Sequence, residues 1–247
     1  MSLARYDFSG KVAFITGGAS GIGRAAAERF AVCGAAVAVA DTNEEAGRAL
    51  CTRLADSGAR AMFARLDVTD AEQVGDVIAR THDTFGTIDF AVNSAGILDS
   101  VALLEMDLER WRRMQQINVD GVFLSMQAEL SVMVRQGHGS IVNLSSGAGL
   151  KSAPMMAHYC ASKHAVLGLT RSAALEFAHL GIRITAVCPA AVDTPMMAAA
   201  TAGDEARKAI EQRHPMLRLA TAEEVAAMVV FACSDESSYS TGVEFRA

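Results

Sequence analysis

The chain has 247 residues, 51% of them hydrophobic, which suits one large α/β domain with a single extended core. Its 22 basic and 28 acidic side chains leave a formal charge of −6, a balance that argues against nucleic acid or an anionic membrane as partner. No apolar stretch approaches the about 18 residues of a membrane span, Ser2–Phe8 has no secretory pattern, and Cys33, Cys51, Cys160, Cys188 and Cys233 are scattered without metal spacing, so the expectation is buried free thiols, no metal and a cytoplasmic protein.

Lys11–Thr16 is a short apolar, β-branched run that reads as a buried strand, and it leads into Gly17-Gly18-Ala19-Ser20-Gly21-Ile22-Gly23 and a helical stretch to Cys33. Glycines at such a turn let the backbone approach a pyrophosphate, which the helix N-terminus then meets with free N–H groups. Gly-Lys-Ser/Thr is absent, so the triphosphate-binding alternative fails. The second strand, Ala36–Ala40, ends in Asp41, the position at which an acid would hold a ribose.

Helix Glu44–Asp56, strand Ala61–Arg65 and helix Ala71–Phe85 follow, with Asp67 and Val68 just past the third strand. Strand Phe90–Asn93 opens into Ser94-Ala95-Gly96, and a long helical pattern covers Leu108–Arg135. Strand Ser140–Leu144 runs into Ser145 and Ser146, and a second long helix spans Met155–His179. Strand Arg183–Cys188, helix Ala222–Ser234 and strand Gly242–Phe245 complete the alternation. Such alternation predicts a doubly wound, seven-stranded parallel sheet covered by helices on both faces, with the ligand beyond the strand C-termini. Gly17, Asp41, Asp67, Asn93, Ser146 and Pro189 all fall at or just after a strand's C-terminal end. No repeat or linker divides residues 1–247, so one domain is expected.

Within the second long helix, Tyr159 and Lys163 stand four residues apart and share a face. A free phenol has a pKa near ~10, and a neighbouring cation favours its ionised form. His158 and His164 lie about 100° around the helix from that pair, and read as packing or interface residues. Residues 190–219 are too long for an ordinary connection and carry Met196, Met197, Gly203 and Pro215. With Leu98, Leu150, Met155 and Met156, the methionines suggest an adaptable, greasy pocket. Met126, Leu130, Met133, Leu167, Leu169 and Leu175 on the two long helices suggest apolar surface in excess of what one sheet face covers.

At this point the chain resembles the short-chain dehydrogenase/reductase family over essentially its whole length. Thr16-Gly17-x-x-x-Gly21-x-Gly23 matches its cofactor motif, and Asn93-Ser94-Ala95-Gly96 matches its Asn-Asn-Ala-Gly motif with Ser94 in place of the second Asn. Asn118, Ser146, Tyr159 and Lys163 fall where the family has its catalytic four; Ser146, thirteen residues before Tyr159, fits the spacing better than Ser145.

The resemblance implies a Rossmann-type fold and hydride transfer between NAD and a secondary alcohol, cyclic or moderately hydrophobic. Tyr159 would be the base, Lys163 would lower its pKa and hold the nicotinamide ribose, Ser146 would stabilise the oxyanion, and Asn118 would hold a relay water. Ser20, Ile22, Asp67, Val68, Asn93, Ala95, Gly96, Pro189, Val192 and Thr194 would join the glycines and Asp41 at the cofactor, 190–219 would be a substrate lid, and the long helices would pair in a homotetramer. Pro189-Ala190 stands where the family commonly has Pro-Gly. Two alternatives stand beside this reading: a 3-oxoacyl-thioester reductase, disfavoured by Asp41 because that reduction draws on NADPH in the family, and a catalytically inactive NAD-binding regulator, disfavoured because all four catalytic positions are filled. A serine hydrolase would need Gly-x-Ser-x-Gly, which is absent around Ser145.

Overall fold

In the computed structural model, residues 6–201 and 203–247 are described; the first residues of the Ser2–Phe8 stretch, and Ala202 of the 190–219 segment, lie outside them. Seven parallel strands, β1 (Val12–Thr16), β2 (Ala36–Asp41), β3 (Ala61–Arg65), β4 (Phe90–Asn93), β5 (Gly139–Leu144), β6 (Ile182–Cys188) and β7 (Glu244–Arg246), form one sheet in the order β3-β2-β1-β4-β5-β6-β7. The order reverses at β1, which pairs with β2 on one side and β4 on the other. A crevice therefore opens above the C-terminal ends of β1 and β4. The last strand begins two residues later than the sequence pattern predicts, because Gly242 turns with φ +69° and donates to the Ile184 carbonyl before the ladder starts.

Successive strand residues feed opposite faces. Ala13, Ile15, Val37, Val39, Val92 and Val142 pack under α1 (Gly21–Val32), α2 (Glu44–Asp56) and α9 (Ala222–Cys233). Phe14, Ala38, Ala91, Ile141 and Ile184 pack under α3 (Ala71–Phe85), α5 (Gly121–Gln136) and α6 (Ala157–Phe177). Met126, Leu130, Met133 and Leu167 are buried in this chain's own interior, so they are not the surplus surface that the sequence suggests; Leu169 is half-buried, and Leu175 is exposed as expected, as is Phe123. Cys160, Cys188 and Cys233 are buried as expected, but Cys33 and Cys51 are only half-buried.

The single helix expected over Leu108–Arg135 is interrupted. It runs as α4 (Leu108–Gln115), one wide π-type turn over Gln116–Asp120, and then α5. The wide turn shifts the helix register and aims Asn118 at the backbone of Ile97, which its side chain grips at both ends. Gly121 follows because a Cβ there would lie 2.6 Å from Cγ2 of Val68.

Residues 190–219 hold two short helices, α7 (Pro195–Ala200) and α8 (Gly203–Glu211). A two-residue parallel ladder, Val192–Asp193 with Ala220–Thr221, closes their base. The Arg207 guanidinium straps α8 to it with two 2.8 Å bonds to the Asp193 carboxylate.

Candidate active site

The loop after β1 can lie close to its neighbours because glycines stand at its points of contact. Gly17 has φ +62°, and a Cβ on it would stand 2.7 Å from Cα and N of Ala95. A Cβ on Gly23 would stand 2.2 Å from the Gly17 carbonyl oxygen, so α1 starts directly against the loop. Ser20 occupies the N-cap position of α1 with no capping bond from its side chain. Gly21 (φ +50°) lies under Thr194, whose Cγ2 would touch its Cβ at 3.4 Å, which brings the foot of α7 over the start of α1, with half-buried Ile22 alongside.

Asp41 leaves β2 toward the same loop: Oδ2 accepts from the Ala19 N–H at 3.0 Å and Oδ1 from the Asn43 N–H at 2.9 Å. Beyond β3, the exposed Asp67 carboxylate accepts the N–H and hydroxyl of Thr69, an Asx turn into α3, while Val68 is buried against Gly121. The Ser94–Gly96 loop is tied to β1 by bonds from Ser94 N–H to the Thr16 carbonyl and from Ala95 N–H to the Thr16 hydroxyl, both 3.3 Å. Pro189, buried at the end of β6, accepts from Gly147 N–H at 2.7 Å, and Val192 is buried in the ladder. Ala190 has no positive φ, so its methyl costs no backbone strain.

Tyr159, Lys163, Ser146 and Asn118 come together beside this crevice, above the ends of β4 and β5. Lys163 is buried, donates to the Leu144 carbonyl at 2.8 Å, and holds its Nζ 5.8 Å from the Tyr159 ring centroid. Burial pushes the Lys163 ammonium down to about 8, with the Cys188 thiol opposing. Burial likewise holds the Tyr159 phenol above its ordinary pKa, and a hydrogen bond with the Ser146 hydroxyl pulls the other way. That direction corrects the sequence expectation of a lowered phenol: desolvation of the ring outweighs its polar neighbours, and Lys163 is not among the groups that shift it.

The two serines divide. Ser145 is buried and donates to the Lys163 carbonyl at 2.9 Å, a strut between β5 and α6. Ser146 is half-buried and faces the phenol, its oxygen also accepting from Ala148 N–H. Asn118 is fully enclosed, with its oxygen on Ile97 N–H at 2.8 Å and its nitrogen toward the Ile97 carbonyl, Met114 sulfur and Ser162 hydroxyl. Those partners engage its amide hydrogens, while Oδ1 accepts from Ile97 alone. A Cβ on Gly96 would meet Asn118 Oδ1 at 3.2 Å and Lys163 Nζ at 3.7 Å. Asn93 points away from the crevice, into the sheet face below α5 and α6, and joins Glu129 and Asn143.

Among the described residues, no three His, Cys, Asp or Glu side chains gather as a metal site. His158 is enclosed, with Nε2 3.7 Å from the Asp99 carboxylate, and His164 is exposed. Met155 has φ +61°, and its carbonyl accepts from Val101 N–H at 2.8 Å, which pins the segment before Tyr159 to the loop after β4. Of the proposed pocket wall, Leu98, Leu150 and Met156 are half-buried, while Met155 and Met196 are exposed. Sequence reasoning missed Glu129; a lone acid on the apolar face shared by Ser125, Met126 and Met133 was the available signal.

Residues 17–247 match the family model described as enoyl-(acyl carrier protein) reductase. The chain is 43% identical over 239 residues to a 2,5-dichloro-2,5-cyclohexadiene-1,4-diol dehydrogenase of Sphingobium indicum, covering 96% of this chain and 94% of that one. It is 39% identical over 233 residues to a 3-oxoacyl-[acyl-carrier-protein] reductase of Thermotoga maritima, 94% of each chain. A solved short-chain type dehydrogenase/reductase from Mycobacterium marinum superposes with a TM-score of 0.92 at 36% identity, covering 97% of this chain and 94% of that one. Among the described residues, no helix is long and apolar enough to cross a membrane.

The division between the serines is testable. Ser145→Ala removes a buried bond and should lower stability by about 1 kcal/mol, read as a fall in Tm. Ser146→Ala should leave Tm nearly unchanged and reduce turnover about 10²–10³-fold. Equal losses of stability in the two variants would refute the assignment.

Proposed function

The chain belongs to the short-chain dehydrogenase/reductase family, and on that premise we propose that it interconverts a cyclic or moderately hydrophobic secondary alcohol and its ketone with NAD(H). The observation that carries the reading is the meeting of Tyr159, Ser146 and Lys163 above β5, beside a glycine cradle whose two loops pack so closely that a Cβ at Gly17 would push them apart. That cradle fits a dinucleotide: Gly17, Ser20, Gly21, Ile22 and Gly23 would take the pyrophosphate side, and Asp41 the adenosine ribose. Asp67 and Val68 would border the adenine. Asn93, through its main chain, Ala95, Gly96, Pro189, Val192 and Thr194 would line the nicotinamide half, with Tyr159 and Lys163 at its ribose.

When bound, the nicotinamide supplies the hydride acceptor and donor. The chain supplies the proton chemistry. Tyr159 removes the carbinol proton as the ketone forms and returns it in reduction. Ser146 donates a hydrogen bond to the same oxygen where charge develops. Lys163 places a buried positive charge by the ring, and Asn118, which grips the Ile97 backbone, would hold the water of a proton relay from Lys163.

The relative acting on a cyclohexadiene-diol supports a ring-bearing substrate, and Leu98, Leu150, Met155, Met156, Met196 and Met197 offer it an apolar wall. Residues 190–219 would form the lid, hinged on the Arg207–Asp193 pair. The 3-oxoacyl-thioester reading is favoured by the Thermotoga maritima relative and opposed by Asp41. We further propose a cytoplasmic homotetramer. Exposed Phe123 and Val134 line a groove of about 470 Å³ between α5 and α6, a surface that a two-fold mate would cover.

Three measurements test these proposals. Tyr159→Phe should lower turnover by at least about 10²–10⁴-fold with NAD binding preserved; retention of a tenth of the wild-type rate would remove Tyr159 from the base role. NAD should be preferred over NADP by at least ~10-fold in kcat/KM, about 1.4 kcal/mol, since the Asp41 carboxylate would face a 2′-phosphate. Asp41→Ala with Thr42→Arg should reverse the preference, and equal use of both cofactors by wild type would displace Asp41 from the ribose. Light scattering should give four times the 26.0 kDa chain mass; a monomer at micromolar concentration would end the assembly proposal.

A further inference from the structure

Asn93 and Asn143 are opposite partners on β4 and β5. Their side chains turn to the face covered by α5 and α6 and are joined by a 2.9 Å bond from Asn93 Nδ2 to Asn143 Oδ1. Glu129 of α5 closes one end of this ladder, accepting from Asn93 Nδ2 at 3.1 Å. Thr170 of α6 closes the other, accepting from Asn143 Nδ2 at 2.9 Å and donating to the Val166 carbonyl. Glu129 and Asn143 are wholly enclosed, and Asn93 is 1% exposed.

Several polar atoms of this cluster are left without partners. Both hydrogens of the Asn93 amide are committed, and among the described residues Asn93 Oδ1, Glu129 Oε1 and Ser125 Oγ have no partner. Ser125 lies one turn before Glu129 on the same helix face. A carboxylate would add a buried charge without a cation. A carboxylic acid carries no charge and adds a donor for one of these oxygens.

We propose that Glu129 is a positioning residue that acts as the protonated acid. It holds Asn93, and through it Asn143, so that the ends of β4 and β5 are locked in register. From those ends emerge Ser94–Gly96, packed on Gly17, and Leu144–Ser146, which supplies the carbonyl that anchors Lys163. This role rests on the functional reading above, in which both loops serve the dinucleotide and the carbinol.

The surroundings agree. β4 and β5 contain no ionisable side chain. On α3, Glu72, Asp76, Arg80 and Asp83 are exposed and His82 is half-buried; on α6, His164, Arg171 and Glu176 are exposed. The buried ionisable groups of α6, His158, Tyr159, Cys160 and Lys163, lie toward its start, on the active-site side of Thr170. Burial pushes the Glu129 carboxyl up to about 8, opposed only by the Asn93 bond. The sign follows. Between the ordinary carboxyl range and about pH 8 the unfolded chain gives up this proton while the folded chain keeps it, so the native state loses ground as pH rises. Above about 8 the folded form ionises too, and the loss levels off.

Glu129→Gln keeps the shape and cannot ionise; Glu129→Leu removes every hydrogen bond. Thermal unfolding of wild type and Glu129→Gln should diverge in favour of the variant by at least about 5 °C between pH 5 and pH 8, then run parallel. NADH titrated by fluorescence should bind Glu129→Gln within about 3-fold of wild type at pH 7, and Glu129→Leu at least about 10-fold more weakly. A Tm difference independent of pH would show that Glu129 does not carry the proton. NADH binding by Glu129→Leu equal to that of Glu129→Gln would show that the ladder does not position the site. Should Glu129→Leu fail to fold, the pH series decides, aided by the alkaline loss of NADH affinity expected in wild type and absent from Glu129→Gln. Absence of NADH binding to wild type would overturn the dinucleotide reading, while the unfolding series would still decide the proton.

Discussion

The site depends on how closely the chain can fold against itself above β1 and β4. Parallel strands that reverse their winding leave a crevice at their C-terminal ends, but a crevice admits a ligand only if the loops beside it lie flat. Here the loop after β1 rests on the loop after β4 with no side chain between Gly17 and Ala95, and α1 rests on the same loop at Gly23. One methyl group at either position would push apart the elements that line the cradle. Positive φ at Gly17 and Gly21 reinforces the requirement, since a side chain there would also strain the backbone.

Burial governs the chemistry that lies alongside. Lys163, Tyr159 and Glu129 are withdrawn from water, and desolvation moves each toward its neutral form: the ammonium down, the phenol and the carboxyl up. What prevents collapse into an inert core is a set of well-placed polar partners. The Leu144 carbonyl anchors Lys163, Ser146 addresses Tyr159, and the Asn93–Asn143 ladder gives Glu129 its bond. These partners come from β4, β5 and the turn just after β5, so sheet register and site geometry are one problem.

Much of this was legible in the chain. β3, β4, α2 and α3 occupy the residues that pattern predicts, because the faces of a strand or helix repeat with a period that local sequence displays. The pairing of Tyr159 with Lys163 rests on helical spacing and the choice of Ser146 over Ser145 on the spacing of the family it resembles; in the structure Ser145 donates to the Lys163 carbonyl while Ser146 faces the phenol. Less legible were the wide turn at Asn118, the enclosure of Met133 and Leu167, and the polar ladder under β4 and β5. None of these leaves a periodic signature: each depends on which residue, dozens of positions away, arrives opposite.

By itself, then, the sequence determined the alternation of strands and helices, the flat glycine loops and the acid that ends β2, because each is set by backbone freedom or by side-chain periodicity over a few residues. Only the tertiary structure decided that Asn118 grips Ile97, that Asn93 faces Glu129 rather than the crevice, and that burial raises the Tyr159 phenol instead of lowering it. Hydrogen-bond partners and solvent exclusion are properties of packed surfaces drawn from distant segments, and a linear chain carries no record of them until those segments meet.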